Sequence, residues 1–75
     1  MELDMSTLAK RMVSMRFLRD GMSQSDLAKK AGVTLGTVAR AEHGDGYPRV
    51  ETIENIADAL GVSAHWLLWG EDASK

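Results

Sequence analysis

Apolar residues along the chain recur with helical rather than alternating spacing, in five short runs separated by polar or glycine-containing breaks. Leu8, Met12 and Met15 stand at i, i+4 and i+7. They predict one face of a helix that starts after Ser6 or Thr7 as N-cap and runs to about Leu18, with Lys10 and Arg11 on its other face. Asp20-Gly21 breaks the pattern. Ser23-Gln24-Ser25-Asp26 then opens a second helix, with Ser23 as the cap and Asp26 placed to reach back in a capping box. Leu27, Ala28 and Ala31 form its buried side. Gly32 supplies a left-handed stop, and Thr34 caps a third helix over roughly Leu35 to Glu42, which Gly44 ends. The stretch from His43 to Arg49 holds two glycines and the only proline, and reads as a loop. Val50, Ile53, Ile56, Ala57 and Leu60 mark a fourth helix stopped by Gly61. Ser63 caps a short fifth helix through Trp66, Leu67 and Leu68.

These elements predict an all-α, compact five-helix bundle, with 1–6 as an N-terminal arm, 7–70 as the domain and 71–75 as a tail or the start of a linker. A chain of 75 residues makes one domain and buries only about 60% of its unfolded surface, so its core must be economical. Without cysteine there is no disulfide framework or thiolate site, and two histidines far apart in sequence make poor metal ligands. We therefore expect no metal and no cofactor. No apolar run approaches the about 18 residues that span a bilayer, and Met1-Glu2-Leu3-Asp4 lacks the basic start and apolar stretch of a signal peptide. The expectation is a cytoplasmic protein with no membrane partner and no small-molecule substrate.

Charge changes this picture through its distribution. The formal net charge is -2, which by itself argues against a polyanionic partner, yet residues 7–50 hold eight bases and four acids while both ends are acidic. A basic middle suits a phosphate-lined surface, although scattered solvated charges would give the same count.

The informative constellation runs from Gln24 to Glu42. Two short helices joined through Gly32 can cross steeply if their contact is small, and Ala28 supplies that contact, with Val33 beneath the turn and Val38 and Ala41 on the inner side of the third helix. Leu35, Gly36, Thr37 and Arg40 then face outward. This is helix-turn-helix geometry, which sets the second helix into a DNA major groove; the spacing alone also fits an ordinary helical hairpin with a small-residue crossing.

The pattern Gln24-x-x-Leu27-Ala28-x-x-Ala31-Gly32-Val33-Thr34-x-x-Thr37-Val38-x-Arg40-x-Glu42-x-Gly44, then Pro48, then Ala57-x-Ala59-Leu60-Gly61-Val62-Ser63-x-x-Trp66-Leu67-Leu68-x-Gly70, resembles the lambda-repressor-like (XRE-type) helix-turn-helix family. The likeness covers about residues 7–70, and its ending is similar to phage repressors in particular. It implies a transcriptional regulator, most simply a phage-type repressor, that binds a pseudo-palindromic double-stranded DNA operator as a homodimer. Carried over by position, the resemblance puts Gln24 on a phosphate beside free backbone N–H groups, and Thr34, Leu35, Gly36, Thr37 and Arg40 on the bases and flanking backbone. Arg40 is suited to guanine O6 and N7, Leu35 or a threonine methyl to a thymine methyl, and Arg49 to the backbone. It also implies a structural ion pair between Arg16 and Glu42. Three positions depart from the family. Gly36 replaces a base-reading side chain, Arg16 lies one residue further from Gln24 than the family arginine, and Asp45 makes a usually basic loop less attractive to phosphate.

Trp66 and Trp69, close together in the last helix, are candidates for a dimer interface. The competing function is an antitoxin-like protein-binding module that grips a partner with that end and also binds its own promoter. An enzyme is not expected, since no nucleophile-base pair, phosphate loop or carboxylate pair emerges. The sequence fits either an isolated DNA-binding part or a small stand-alone regulator.

Overall fold

Four of the five helix starts follow side-chain chemistry in residues 3–70, the part of the chain that the structure, a computed structural model, describes. The described residues form five helices: α1 (Leu8–Leu18), α2 (Gln24–Ala31), α3 (Leu35–His43), α4 (Val50–Leu60) and α5 (Ala64–Trp69). At the starts of α1, α2, α3 and α5 the hydroxyls of Thr7, Ser23, Thr34 and Ser63 accept the backbone N–H three residues on, satisfying one of the otherwise unpaired donors. Thr7 is thus the first cap, while Ser6 bonds to Asp4. Ser23 and Asp26 complete a reciprocal capping box. α3 runs one residue beyond Glu42. At its end Gly44 takes φ 84°, which lets Asp45 N–H reach the Arg40 carbonyl at 3.2 Å.

The core is shared by all five helices, with α2 between α3 and α4, and α1 lying against α3 and α5. Met12, Leu27, Val38, Ile56, Leu60 and Leu67 are fully enclosed. α2 packs on both α3 and α4, α1 on α3 and α5, and α4 on α5. Ala28 and Ala41 are buried among these contacts, so the small residues sit where helices approach closely. Val50, expected on the apolar face of α4, is instead 68% exposed. It occupies the first position of that helix, one turn ahead of Ile53, where burial begins.

Arg11 corrects the expected polar face of α1: its residue is only 5% exposed. Its Nε donates to the Leu67 carbonyl at 2.8 Å, Nη2 to Leu68 at 2.6 Å and Nη1 to Met5 at 2.9 Å. The guanidinium therefore closes the C-terminal end of α5, where unpaired carbonyls and the negative end of the helix dipole stand in for a carboxylate. Arg19 does the same for α4, with Nε on the Leu60 carbonyl at 2.9 Å. Residues ahead of α1 lie against it, because Ser14 Oγ holds the Asp4 carbonyl at 2.9 Å and Met5 packs on the core. The expected tail at 71–75, like residues 1 and 2 of the expected arm, falls outside the described residues. In the turn after α1, Asp20 (φ 58°) and Gly21 (φ 67°) are both left-handed. Aspartate tolerates that conformation better than most side chains.

Replacing Arg11 by Met should remove about 3 kcal/mol of stability, because carbonyls at the end of α5 lose charge-assisted donors in a buried place. Lys10→Ala, which breaks only an exposed pair with Asp4, should change stability far less; urea melts of both variants provide the comparison. The Ser6 hydroxyl, then Lys10 and the Ser6 amide, hold the Asp4 carboxyl down at about 2. Its folded value lies below the unfolded value of about 3.9. The contribution of these contacts is therefore complete at neutral pH and is lost as pH falls from about 4 through about 2. An NMR titration of the Ser6 amide should show its midpoint near the lower value.

Candidate nucleic-acid interface

One nearly buried carboxylate joins the elements of the site. Glu42, on the inner side of α3, has a side chain only 5% exposed, and its two oxygens receive Arg16 Nε and Nη2 from α1, each at 2.7 Å. Arg16 Nη1 donates at 2.8 Å to the carbonyl of Met22, just ahead of α2, and Gln24 Nε2 at the start of α2 donates to Glu42 Oε1 at 2.9 Å. These bonds to Glu42 raise the Arg16 pKa above its ordinary value in spite of partial burial, so the guanidinium stays charged. A fork on a carboxylate fixes direction as well as distance. α2 and α3 are thereby tied to α1 in one orientation, with Gly32 (φ 71°) and Val33 making the turn between them.

That orientation leaves the N-terminal part of α3 bare. Leu35 is 49% exposed, Gly36 and Arg40 are exposed, and Thr37 is partly covered. Thr34 is exposed too, but its hydroxyl accepts the Thr37 N–H at 3.1 Å and lies 2.9 Å from the Thr37 hydroxyl. Arg40 and the exposed Arg49 both line an open cleft of about 260 Å³, with Thr37, Tyr47 and Thr52 around it and Asp45 on its rim. Gln24 stands beside α3 but is engaged with Glu42; only the second hydrogen of its amide and its carbonyl oxygen remain for another partner. Trp66 is half-buried against the core, whereas Trp69 is 63% exposed.

The site also alters the meaning of the basic middle of the sequence. Arg11 and Arg16 are turned inward, the exposed Arg19 holds the Leu60 carbonyl and Lys10 pairs with Asp4, so four of the eight bases in 7–50 are engaged within the fold. Lys29, Lys30, Arg40 and Arg49 make no ion pair among the described residues. The roles of Arg11 and Arg19 escaped the sequence reading, although Arg11 gave a signal. It stands at i+3 from Leu8 and four before Met15, within the buried stripe.

Comparison with known proteins is consistent with this geometry. The helix-turn-helix family model matches residues 15–67, and the chain belongs to that family, in its XRE-type, lambda-repressor-like branch. An HTH-type transcriptional regulator of Haemophilus influenzae, itself uncharacterized, is 40% identical over 47 residues; these are 63% of this chain but 20% of that protein, so the chain spans about a fifth of its relative's length. Among solved structures, the fold superposes on the P22 c2 repressor in complex with the synthetic operator 9T at a TM-score of 0.78, with 25% identity over 87% of this chain and 97% of that one. The N-terminal DNA binding domain of SinR from Bacillus subtilis gives 0.74 with 28% identity over 91% and 96% of the two chains. A hypothetical transcription factor from Neisseria, NHTF, gives 0.74 with 34% identity over 89% and 75%. The class so defined is the XRE-type helix-turn-helix family, and no helix among the described residues is long and apolar enough to cross a membrane.

Replacing Arg16 or Glu42 alone by alanine should each remove about 3 kcal/mol, since either change leaves the other charge poorly solvated and unpaired. Replacing both should lose less than the two losses added, with a coupling of about 1–3 kcal/mol in a denaturant double-mutant cycle. Strict additivity would show that the pair contributes nothing as a pair.

Proposed function

We propose that this chain reads DNA as a homodimer and acts in the cytoplasm as a transcriptional repressor of the phage type, setting α3 in the major groove of a pseudo-palindromic operator. The observation that carries this reading is the bare N-terminal half of α3, held outward by the Arg16–Glu42–Gln24 network and flanked by Arg49. Thr34, Leu35, Gly36, Thr37 and Arg40 then meet bases or the adjoining backbone. Arg40 supplies a planar fork for guanine, and Leu35 an apolar surface for a thymine methyl. Arg49 and the free amide hydrogen of Gln24 meet phosphates, which fix register without reading sequence. The domain lies within 7–70, with Trp69 as the dimer contact and Trp66 supporting it from the core side.

A single recognition helix covers too few base pairs for useful selectivity, so two half-sites should lie with centres about 34 Å apart or a multiple of that. The 63% exposure of Trp69 equally suits a foreign protein partner, as in an antitoxin; that reading is favoured if purified protein sediments as a monomer and stays monomeric on DNA. Selection of bound sequences from random DNA, followed by footprinting, should recover a pseudo-palindrome. One half-site bound as tightly and selectively as the whole would contradict the dimer. Loss of Arg49 should weaken all sequences alike and lower the salt slope by about one contact.

A further inference from the structure

Gly36 lies on the exposed face of α3, in the first turn, where its backbone is helical and does not require glycine. Glycine there disfavours the helix relative to almost any other residue. Its surroundings offer one reason for it. A Cβ built at Gly36 would stand 3.3 Å from Nη1 of Arg40, tighter than ordinary van der Waals contact, and 3.9 Å from the Thr34 hydroxyl, with no other such neighbour. Arg40 follows Gly36 by four residues, and long side chains on a helix lean back toward its N-terminus. The guanidinium therefore lies over the bare backbone at 36, along the face where a residue-36 side chain would project.

We infer that Gly36 is a specificity-determining position that acts through Arg40: the missing side chain lets the guanidinium lie back over the first turn of α3, so that Arg40 reads the base pair a side chain at 36 would otherwise face. The inference rests on α3 entering the major groove, as proposed above. A Cβ alone needs the guanidinium to give by only a few tenths of an ångström, whereas a longer side chain at 36 would occupy the surface on which it lies and turn it elsewhere, so that such a side chain should change which base pair Arg40 reaches and not only how tightly it binds. Arg40 has no acid partner among the described residues, which leaves its whole fork available once placed.

The test is selection from random duplex DNA with the wild-type protein and with Gly36→Ala, Gly36→Leu, Arg40→Ala and Gly36→Leu/Arg40→Ala, each first melted to show that it is folded. Both position-36 changes should raise the melting temperature, since each replaces a poor helix former. Wild type should prefer one guanine per half-site by about tenfold or more, and Arg40→Ala should abolish that preference. Gly36→Leu should lose it or move it by one base pair, with Gly36→Ala close to wild type. On the Arg40→Ala background Gly36→Leu should change nothing at that position. Without DNA, an NMR contact between the Arg40 side chain and the Gly36 α-protons should be present in wild type.

A Gly36→Leu protein that keeps the same guanine preference at the same position would overturn the inference. So would an effect of Gly36→Leu that is equally large without Arg40, which would mean that the glycine serves close approach of the backbone to DNA. If wild type selects no sequence at all, the DNA-reading function fails first, and the inference fails with it whether or not the NMR contact is present.

Discussion

The Glu42 carboxylate is the constraint on which the functional surface depends. An ionised group with almost no access to water is tolerable only if both oxygens are met by donors, and Arg16 and Gln24 meet them. The donors come from α1 and the start of α2, the acceptor from α3, so satisfying one charge sets three helices relative to one another. In a domain with few buried apolar side chains, such directional contacts fix orientation more sharply than a small oily core can. What faces outward on α3 is then a consequence of what Glu42 requires on the inside.

α1 shows how a small fold uses its arginines. Arg11 and Arg19 have carbonyls at the ends of α5 and α4 as their acceptors, and Arg16 has the carboxylate of α3. Two cations on α1 and one at its C-terminal cap thereby secure three other helices, two of them without an acidic partner. The arginines so engaged leave few free cations on a chain of net charge -2. Among the described residues, the lysines and arginines with neither an ion pair nor a side-chain hydrogen bond lie at the end of α2 and on or beside α3 and the loop after it, and Lys29 and Lys30 also complement the negative end of the α2 dipole. Binding to DNA would then draw on a handful of phosphate contacts, with shape and the placement of Arg40 carrying much of the selectivity.

Much of this was legible in the sequence because the fold is punctuated by local chemistry. A hydroxyl at a helix start and a glycine just past its end act within one turn, so Ser23, Gly32, Thr34, Gly44, Gly61 and Ser63 announce their elements without reference to the rest of the chain. The pairing of Arg16 with Glu42 came from the family resemblance and not from spacing, since 26 residues separate the partners. Arg11 and Arg19 were not legible as caps because their acceptors are backbone carbonyls more than forty residues away, which leave no mark on residue type. The exposure of Val50 was missed for a related reason. Periodicity assigns a face to a helix but not the point along it at which neighbours begin to cover it.

In the proposed complex the outward part of α3 is the DNA-reading surface and α1 only supports it. The most direct measurement is an NMR titration of the isotopically labelled protein with a duplex recovered by selection, following backbone amides and arginine side chains. The account predicts the largest shifts at residues 34–40, with smaller ones at Gln24 and Arg49, while Val13 and Phe17 on the outer face of α1 stay near their free positions. Largest shifts on α1 or α5, with residues 34–40 unmoved, would contradict it.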